Sequence, residues 1–311
     1  MLSRRRPTRR PARSSGSRPG ARGAASRAAG RPASSPSSGV PGALRALGVR
    51  PSRRLGQNFL TDPRVADRIA ALVADPDEPV IEIGPGLGAL TLPLARSGRR
   101  LVAVELDLRL ADHVERLLEA HPTARVARGD ILKERIEALM PGASQVTVVG
   151  NLPYAITSPV LEWTLAQAPR VRRAVLMVQK EVADRLASPP GEKRYGPITV
   201  FARLHAEVST RFRVSPGAFH PRPEVDSVVL EVTPRPYPGT TPAERVRALA
   251  IGRAAMGTRR KTLQNALVHG LGLSTAAAAA LLGAAGIDPR RRGETLTIDE
   301  LLAVARAEER T

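Results

Sequence analysis

The stretch Val80-Ile-Glu-Ile-Gly84-Pro-Gly86-Leu-Gly88 reads as a short apolar strand running straight into a glycine-rich turn. Outward from it the chain alternates. Residues 101–104, 125–127, 146–149 and 174–178 are further short aliphatic runs, each bounded by turn or charged residues. Helix-like segments lie before and between them at 63–73, 90–95, 108–120, 158–165 and 180–187. Strands alternating with helices predict an α/β, Rossmann-like, mostly parallel sheet covered on both faces. Two more strands, 208–214 and 227–232, have no helix between them and predict a closing antiparallel hairpin, giving seven strands. Strand signals then stop. Helices are predicted at 243–268, 274–285 and 298–309, the last opened by a capping box of Thr297 and Glu300. The expected division is a disordered arm at 1–46, the α/β domain at 47–238 and a small all-helical domain at 239–311.

The turn after the first strand says what the sheet binds. Glycines at the carboxyl end of a parallel strand let a ligand approach the backbone closely. Their spacing is G-x-G-x-G, not the G-x-G-x-x-G of dinucleotide binders, and Pro85 would remove an amide needed for a pyrophosphate. Glu105, 21 residues beyond Gly84, ends the second strand, where an acid can accept both ribose hydroxyls of an adenosine. Asp130 ends the third, where a carboxylate can accept from an adenine amino group. A cofactor with an adenosine and no pyrophosphate points to S-adenosylmethionine.

After the fourth strand stands Gly150-Asn151-Leu152-Pro153-Tyr154. An exocyclic base amine is a poor nucleophile because its lone pair is conjugated with the ring. Acceptors on its two hydrogens favour pyramidalisation and aim the lone pair at a methyl donor. The Asn151 side-chain carbonyl and the Leu152 backbone carbonyl fit that task, with Pro153 stiffening the turn. Tyr154 offers a face on which an extruded base can stack. No general base is needed if the proton leaves after transfer, so positioning and electrostatics carry the catalysis.

Composition narrows the field further. The 311 residues contain no cysteine, which excludes disulfides, thiolate metal sites and a cysteine nucleophile. The five histidines stand in no metal-ligand spacing, so no metal is expected. Apolar runs fall short of a membrane span, and a soluble, cytoplasmic, monomeric protein is expected. Charge is unevenly placed: residues 1–50 hold 12 Arg and no acid, supplying +12 of the net +19. Such an Arg-, Ser-, Pro- and Gly-rich arm cannot bury enough apolar surface to order itself. It also has the composition of an organelle transit peptide, but Arg exceeds Lys throughout the chain, and a solvated, RNA-attracting tail is the favoured reading.

From about Leu47 to Ala307 the chain resembles the small-subunit (16S) ribosomal RNA adenine N6,N6-dimethyltransferase family, which is related to the 23S enzymes of erythromycin resistance. The resemblance is carried by Leu55-Gly-Gln-Asn-Phe-Leu60, Glu82-Ile-Gly-Pro-Gly-Leu-Gly88, Asn151-Leu-Pro-Tyr154, Gln179-Lys-Glu-Val182, Lys193-Arg-Tyr-Gly196 and Ala218-Phe-His-Pro-Arg-Pro-Glu-Val-Asp-Ser227. Arg259-Arg-Lys-Thr262 and Gly286-Ile-Asp-Pro289 are more specific to the 16S branch. The resemblance implies a Rossmann-like methyltransferase that dimethylates two adjacent adenosines in the 3′-terminal hairpin loop of 16S rRNA on an assembling small subunit. It implies cofactor contacts at Gln57, Asn58, Leu60, Gly84, Gly86, Glu105, Asp130 and Asn151. The catalytic set becomes Asn151, Leu152, Pro153, Tyr154 and Phe219, with Tyr154 and Phe219 sandwiching the target adenine. His220 departs from the small hydroxyl residue associated with its place, and the long arm departs from the family's short N-terminus. Arg259, Arg260 and Lys261, within the helical stretch 243–268, and Arg291 are expected to hold RNA phosphates. The alternatives are a 23S rRNA dimethyltransferase, a non-catalytic assembly or transcription factor on the same fold, and a nicotinamide oxidoreductase. The helical tail argues against the first, the intact Asn151, Tyr154, Gly84 and Glu105 against the second, and the glycine spacing against the third.

Overall fold

The computed structural model describes residues 39–52, 56–73, 75–258 and 260–309. In chain order the first half comprises α1 (Val40–Ala46), β1 (Phe59–Leu60), α2 (Pro63–Ala71), β2 (Val80–Ile83), α3 (Thr91–Ala95), β3 (Leu101–Glu105), α4 (Leu108–Leu117), β4 (Ala124–Arg128), α5 (Ile136–Leu139) and β5 (Val146–Asn151). There follow α6 (Thr157–Ala166), β6 (Val171–Gln179), α7 (Lys180–Ala187), α8 (Pro197–His205), β7 (Ala206–Val214), β8 (Phe219–His220) and β9 (Ser227–Pro234). The chain then turns helical, with α9 (Pro242–Met256), α10 (Leu263–Leu271), α11 (Thr275–Ala284) and α12 (Ile298–Glu309).

The sheet has seven strands in the order β4-β3-β2-β5-β6-β9-β7. The first five are parallel, and β9 runs antiparallel to both β6 and β7. Every residue of β2 and β3 is buried, because helices cover both faces of a parallel sheet. Strand order reverses between β2 and β5, which creates the crevice at the carboxyl ends where open α/β sheets bind ligands. At the opposite ends, buried Glu78 receives Arg173 of β6 at 2.7 Å and the Thr147 hydroxyl of β5. One carboxylate thereby ties the starts of β2, β5 and β6 together, away from the crevice.

Several boundaries differ from the sequence reading, each for a local reason. Residues 40–46, expected within the disordered arm, form α1; Leu44 is buried there and packs with Val49, Phe59 and Leu110. Residues 1–38 of that arm lie outside the described residues. The single helix expected at 243–268 is two, α9 and α10, separated by 257–262. Gly257 weakens the helix there. The new start is fed from elsewhere: the N–H groups of Leu263 and Gln264 donate to the carbonyls of Arg291 and Pro289 at 2.7 and 3.1 Å. Helix α8 had no counterpart in the reading, and its Val200 and Leu204 share a core with the C-terminal helices. The capping box of α12 forms as expected, with Thr297 and Glu300 bonded in both directions at 3.1 and 2.9 Å. Among the described residues no single helix is long and apolar enough to cross a membrane.

Candidate active site

A cavity lies over the β2/β5 crevice, where one wall is the turn after β2. Gly84, Gly86 and Gly88 all have positive φ, at 64, 58 and 84°. Glycine is needed here for two separate reasons. A Cβ on Gly84 would project into open space in a strained backbone, and one on Gly86 would come within 3.2 Å of the Phe59 ring. The turn is tied to β3 by Glu105, whose Oε2 accepts from the Gly86 N–H at 3.2 Å. Its Oε1 accepts from the N–H groups of Leu106 and Asp107 at 2.9 and 3.0 Å. Three of a carboxylate's roughly four acceptor positions are thereby used, leaving room on Oε2 for one further donor and not for both ribose hydroxyls as the sequence predicts.

The facing wall comes from residues 56–60 and from β8. Gln57 exchanges bonds with Ser52 at 2.9 and 3.1 Å. Phe59 and Leu60 pair antiparallel with His220 and Phe219, and Thr61 donates its N–H and hydroxyl to the Ala218 carbonyl. The floor is Asn151 at the end of β5. Its Nδ2 donates to the Asn58 carbonyl at 2.9 Å, which joins floor to wall. Since the amide's NH2 end is engaged, its carbonyl end is the one left for a ligand.

Gln57, Asn58, Leu60, Gly84, Gly86, Glu105, Asn151, Leu152, Pro153 and Phe219 therefore share one cavity. Asp130 does not line it; its carboxylate accepts from the Leu132 N–H at 3.1 Å and caps the turn after β4. Phe219 is only 6% exposed and also packs into the core with Leu60, Ala218 and Val229. The Tyr154 side chain lies outside the described part of the structure. Of the expected RNA contacts, Arg259 lies outside it too, while Arg260 and Lys261 are exposed in the segment between α9 and α10, not within a helix. Arg291 is spent internally: its guanidinium bonds the Glu300 carboxylate and the Thr295 carbonyl at 3.0 and 2.9 Å. It shapes the loop that starts α10 and is not free to grip a phosphate.

The sequence reading missed Glu82, which lines the cavity from β2. It is 1% exposed, and its buried Oε2 has no hydrogen-bond partner. Burial pushes its carboxyl up to about 8, with the charge of Glu105 adding to the effect. Burial also raises Glu105, against the three N–H groups that favour its ionised form. The legible signal was a carboxylate inside Val80-Ile-Glu-Ile, a strand otherwise fit for burial on both faces. Because the folded-state value is raised, protonated Glu82 is tolerated at low pH. Stability should fall as pH rises from the ordinary glutamate range through about 8. Glu82→Gln should flatten that decline, read as the melting temperature from pH 5 to 8.5. A slope identical to wild type would show that Glu82 does not hold its proton in the folded chain.

The ribosomal RNA adenine dimethylase family model matches residues 49–305. Among similar proteins, the ribosomal RNA small subunit methyltransferase A of Geobacter metallireducens is 44% identical over 268 residues, covering 85% of this chain and 98% of that one. The enzyme of the same name from Streptomyces griseus is 41% identical, covering 83% and 90%. The crystal structure of the 23S rRNA methyltransferase ErmE is similar with a TM-score of 0.59 at 28% identity, covering 81% of this chain and 100% of that one. A dimethyladenosine transferase from Plasmodium falciparum shares the fold, with a TM-score of 0.64 at 22% identity over 79% and 95%. The glycine turn, the Asn151 floor and the matched span agree: the chain belongs to the ribosomal RNA adenine dimethylase family.

Proposed function

We propose that this enzyme uses S-adenosylmethionine to dimethylate the N6 amines of two adjacent adenosines in the 3′-terminal hairpin loop of 16S rRNA, on an assembling small subunit. It acts in this reading as a cytoplasmic monomer without a metal. The observation that carries it is the Asn151 amide, whose donor end is fixed by Asn58 beside the glycine turn. Identity of 44% to a small-subunit methyltransferase, against 28% to ErmE, favours the small subunit over 23S rRNA.

The residues present fit the cofactor. Glu105 has room for a ribose hydroxyl, the positive-φ glycines bring the backbone close, and the unpartnered oxygen of Glu82 suits the cationic ammonium of a methionine moiety. When bound, S-adenosylmethionine supplies an electrophilic sulfonium methyl. The chain's own part is to position the amine. The Asn151 and Leu152 carbonyls accept its hydrogens, Pro153 stiffens the turn, and Tyr154 and Phe219 stack on the adenine. Gln57, Asn58 and Leu60 exclude water from above. Incubating the protein with labelled S-adenosylmethionine and unmodified small-subunit particles, then mapping the label, tests this. No label on the particle's adenosines would end the proposal.

RNA docking gives a separate expectation. Replacing Arg259, Arg260 and Lys261 by Gln should leave cofactor affinity alone and weaken particle binding. The slope of log affinity against log salt should flatten by about 2, near 0.7 per lost phosphate contact. An unchanged slope would make this segment a solvated loop.

A further inference from the structure

Beside the cavity lies a groove formed by Pro41, Leu44 and Arg45 of α1, by Val49 and Arg50 after it, and by His220 of β8. Among the described residues no acidic one lines it, and Arg45 and Arg50 are exposed. Its base is anchored. Leu44 and Val49 are 2% and 5% exposed and pack on Phe59 and Leu110, which themselves line the cavity. Arg109 holds the Gly48 carbonyl at 2.6 Å. The cavity and the groove meet on β8, where Phe219 lines one and His220 the other. Side chains of consecutive strand residues leave on opposite faces, so the two sites lie on either side of β8. An RNA strand crossing the open edge of the two-stranded β1/β8 ribbon can place neighbouring nucleotides in both.

We propose that this groove is a subsite for the nucleotide next to the target adenosine. It rests on the methyltransferase reading above. The phosphate between the two nucleotides sits on Arg45 and Arg50, and the flanking base stacks on the His220 imidazole, since splayed RNA bases stack on aromatic rings including histidine. Pro41, Leu44 and Val49 offer that base an apolar wall without hydrogen-bond demands. A base carrying N6-methyl groups therefore fits as well as a bare one, so the groove holds its occupant whether or not that occupant has itself been methylated.

The test uses the full chain and reconstituted small-subunit particles whose flanking nucleotide is either intact or abasic. For wild type, the abasic change should raise KM about tenfold with kcat nearly kept, as loss of one stacked base implies. His220→Ala should raise KM by a similar factor on intact particles and add nothing on abasic ones, because both changes remove one interaction. His220→Tyr should restore the intact-particle KM. Binding of S-adenosylhomocysteine, equal in all variants, verifies folding. Multiplicative effects of His220→Ala and the abasic site would overturn the subsite. So would a His220→Ala penalty that vanishes when residues 1–38 are deleted, since the arm would then be the occupant. Failure of wild type to label any intact particle would instead sink the methyltransferase reading.

Discussion

Asn151→Ala should lower single-turnover methyl transfer by about 100- to 1000-fold while changing particle affinity little. The magnitude is that of removing one preorganised polar group that acts on the transition state. A carbonyl that favours a pyramidal amine does most of its work when the amine attacks, so the loss falls on turnover and not on binding. The side chain also bonds the Asn58 carbonyl at 2.9 Å, so the alanine variant loosens the cavity wall as well. Asn151→Asp separates the two effects: it keeps an acceptor for the amine and loses the donor to Asn58. Quench-flow measurement with saturating enzyme is the check. A wild-type rate in the alanine variant would remove Asn151 from the chemistry.

Glu105→Ala should weaken S-adenosylhomocysteine by about 30- to 150-fold, the 2–3 kcal/mol of a charge-assisted hydrogen bond. Two losses combine. The ligand loses an acceptor, and the N–H groups of Gly86, Leu106 and Asp107 lose the carboxylate that holds the glycine turn to β3. Glu105→Gln keeps an acceptor at reduced charge and should fall between the two. Calorimetric titration measures all three, and an unchanged dissociation constant in folded Glu105→Ala would place the ribose elsewhere.

How far the site was readable follows from how local each signal is. Strands β2, β3 and β5 announce themselves because burial on both faces leaves runs that are aliphatic but for Glu82 and Thr147, and the residues that end them fall at one edge. Asn151, Glu105 and the glycines are legible for that reason. Asp130 sits at the same edge yet turns to cap its own loop, a choice no spacing reveals. The break before α10 was illegible because its donors are satisfied by residues 289 and 291. Arg291 misled for the mirror reason, as its partner Glu300 belongs to a later helix. The two-residue strands β1 and β8 are too short for any period, and only their pairing across 157 residues or more gives them meaning.

The position of β9 between β6 and β7 bears on how the chain is made. As it leaves the ribosome, β6 exposes an unpaired apolar edge, and β7 emerges with no place to dock. Both wait for residues 227–234, about fifty positions after β6 ends. An edge left open this long invites pairing with another chain. The nascent protein must therefore be shielded, or must outrun aggregation, until β9 arrives. The β1/β8 ribbon imposes a similar delay, so a chain stalled before residue 219 has the glycine turn and residues 56–60 but lacks the strand that pairs with Phe59 and Leu60 to complete the wall.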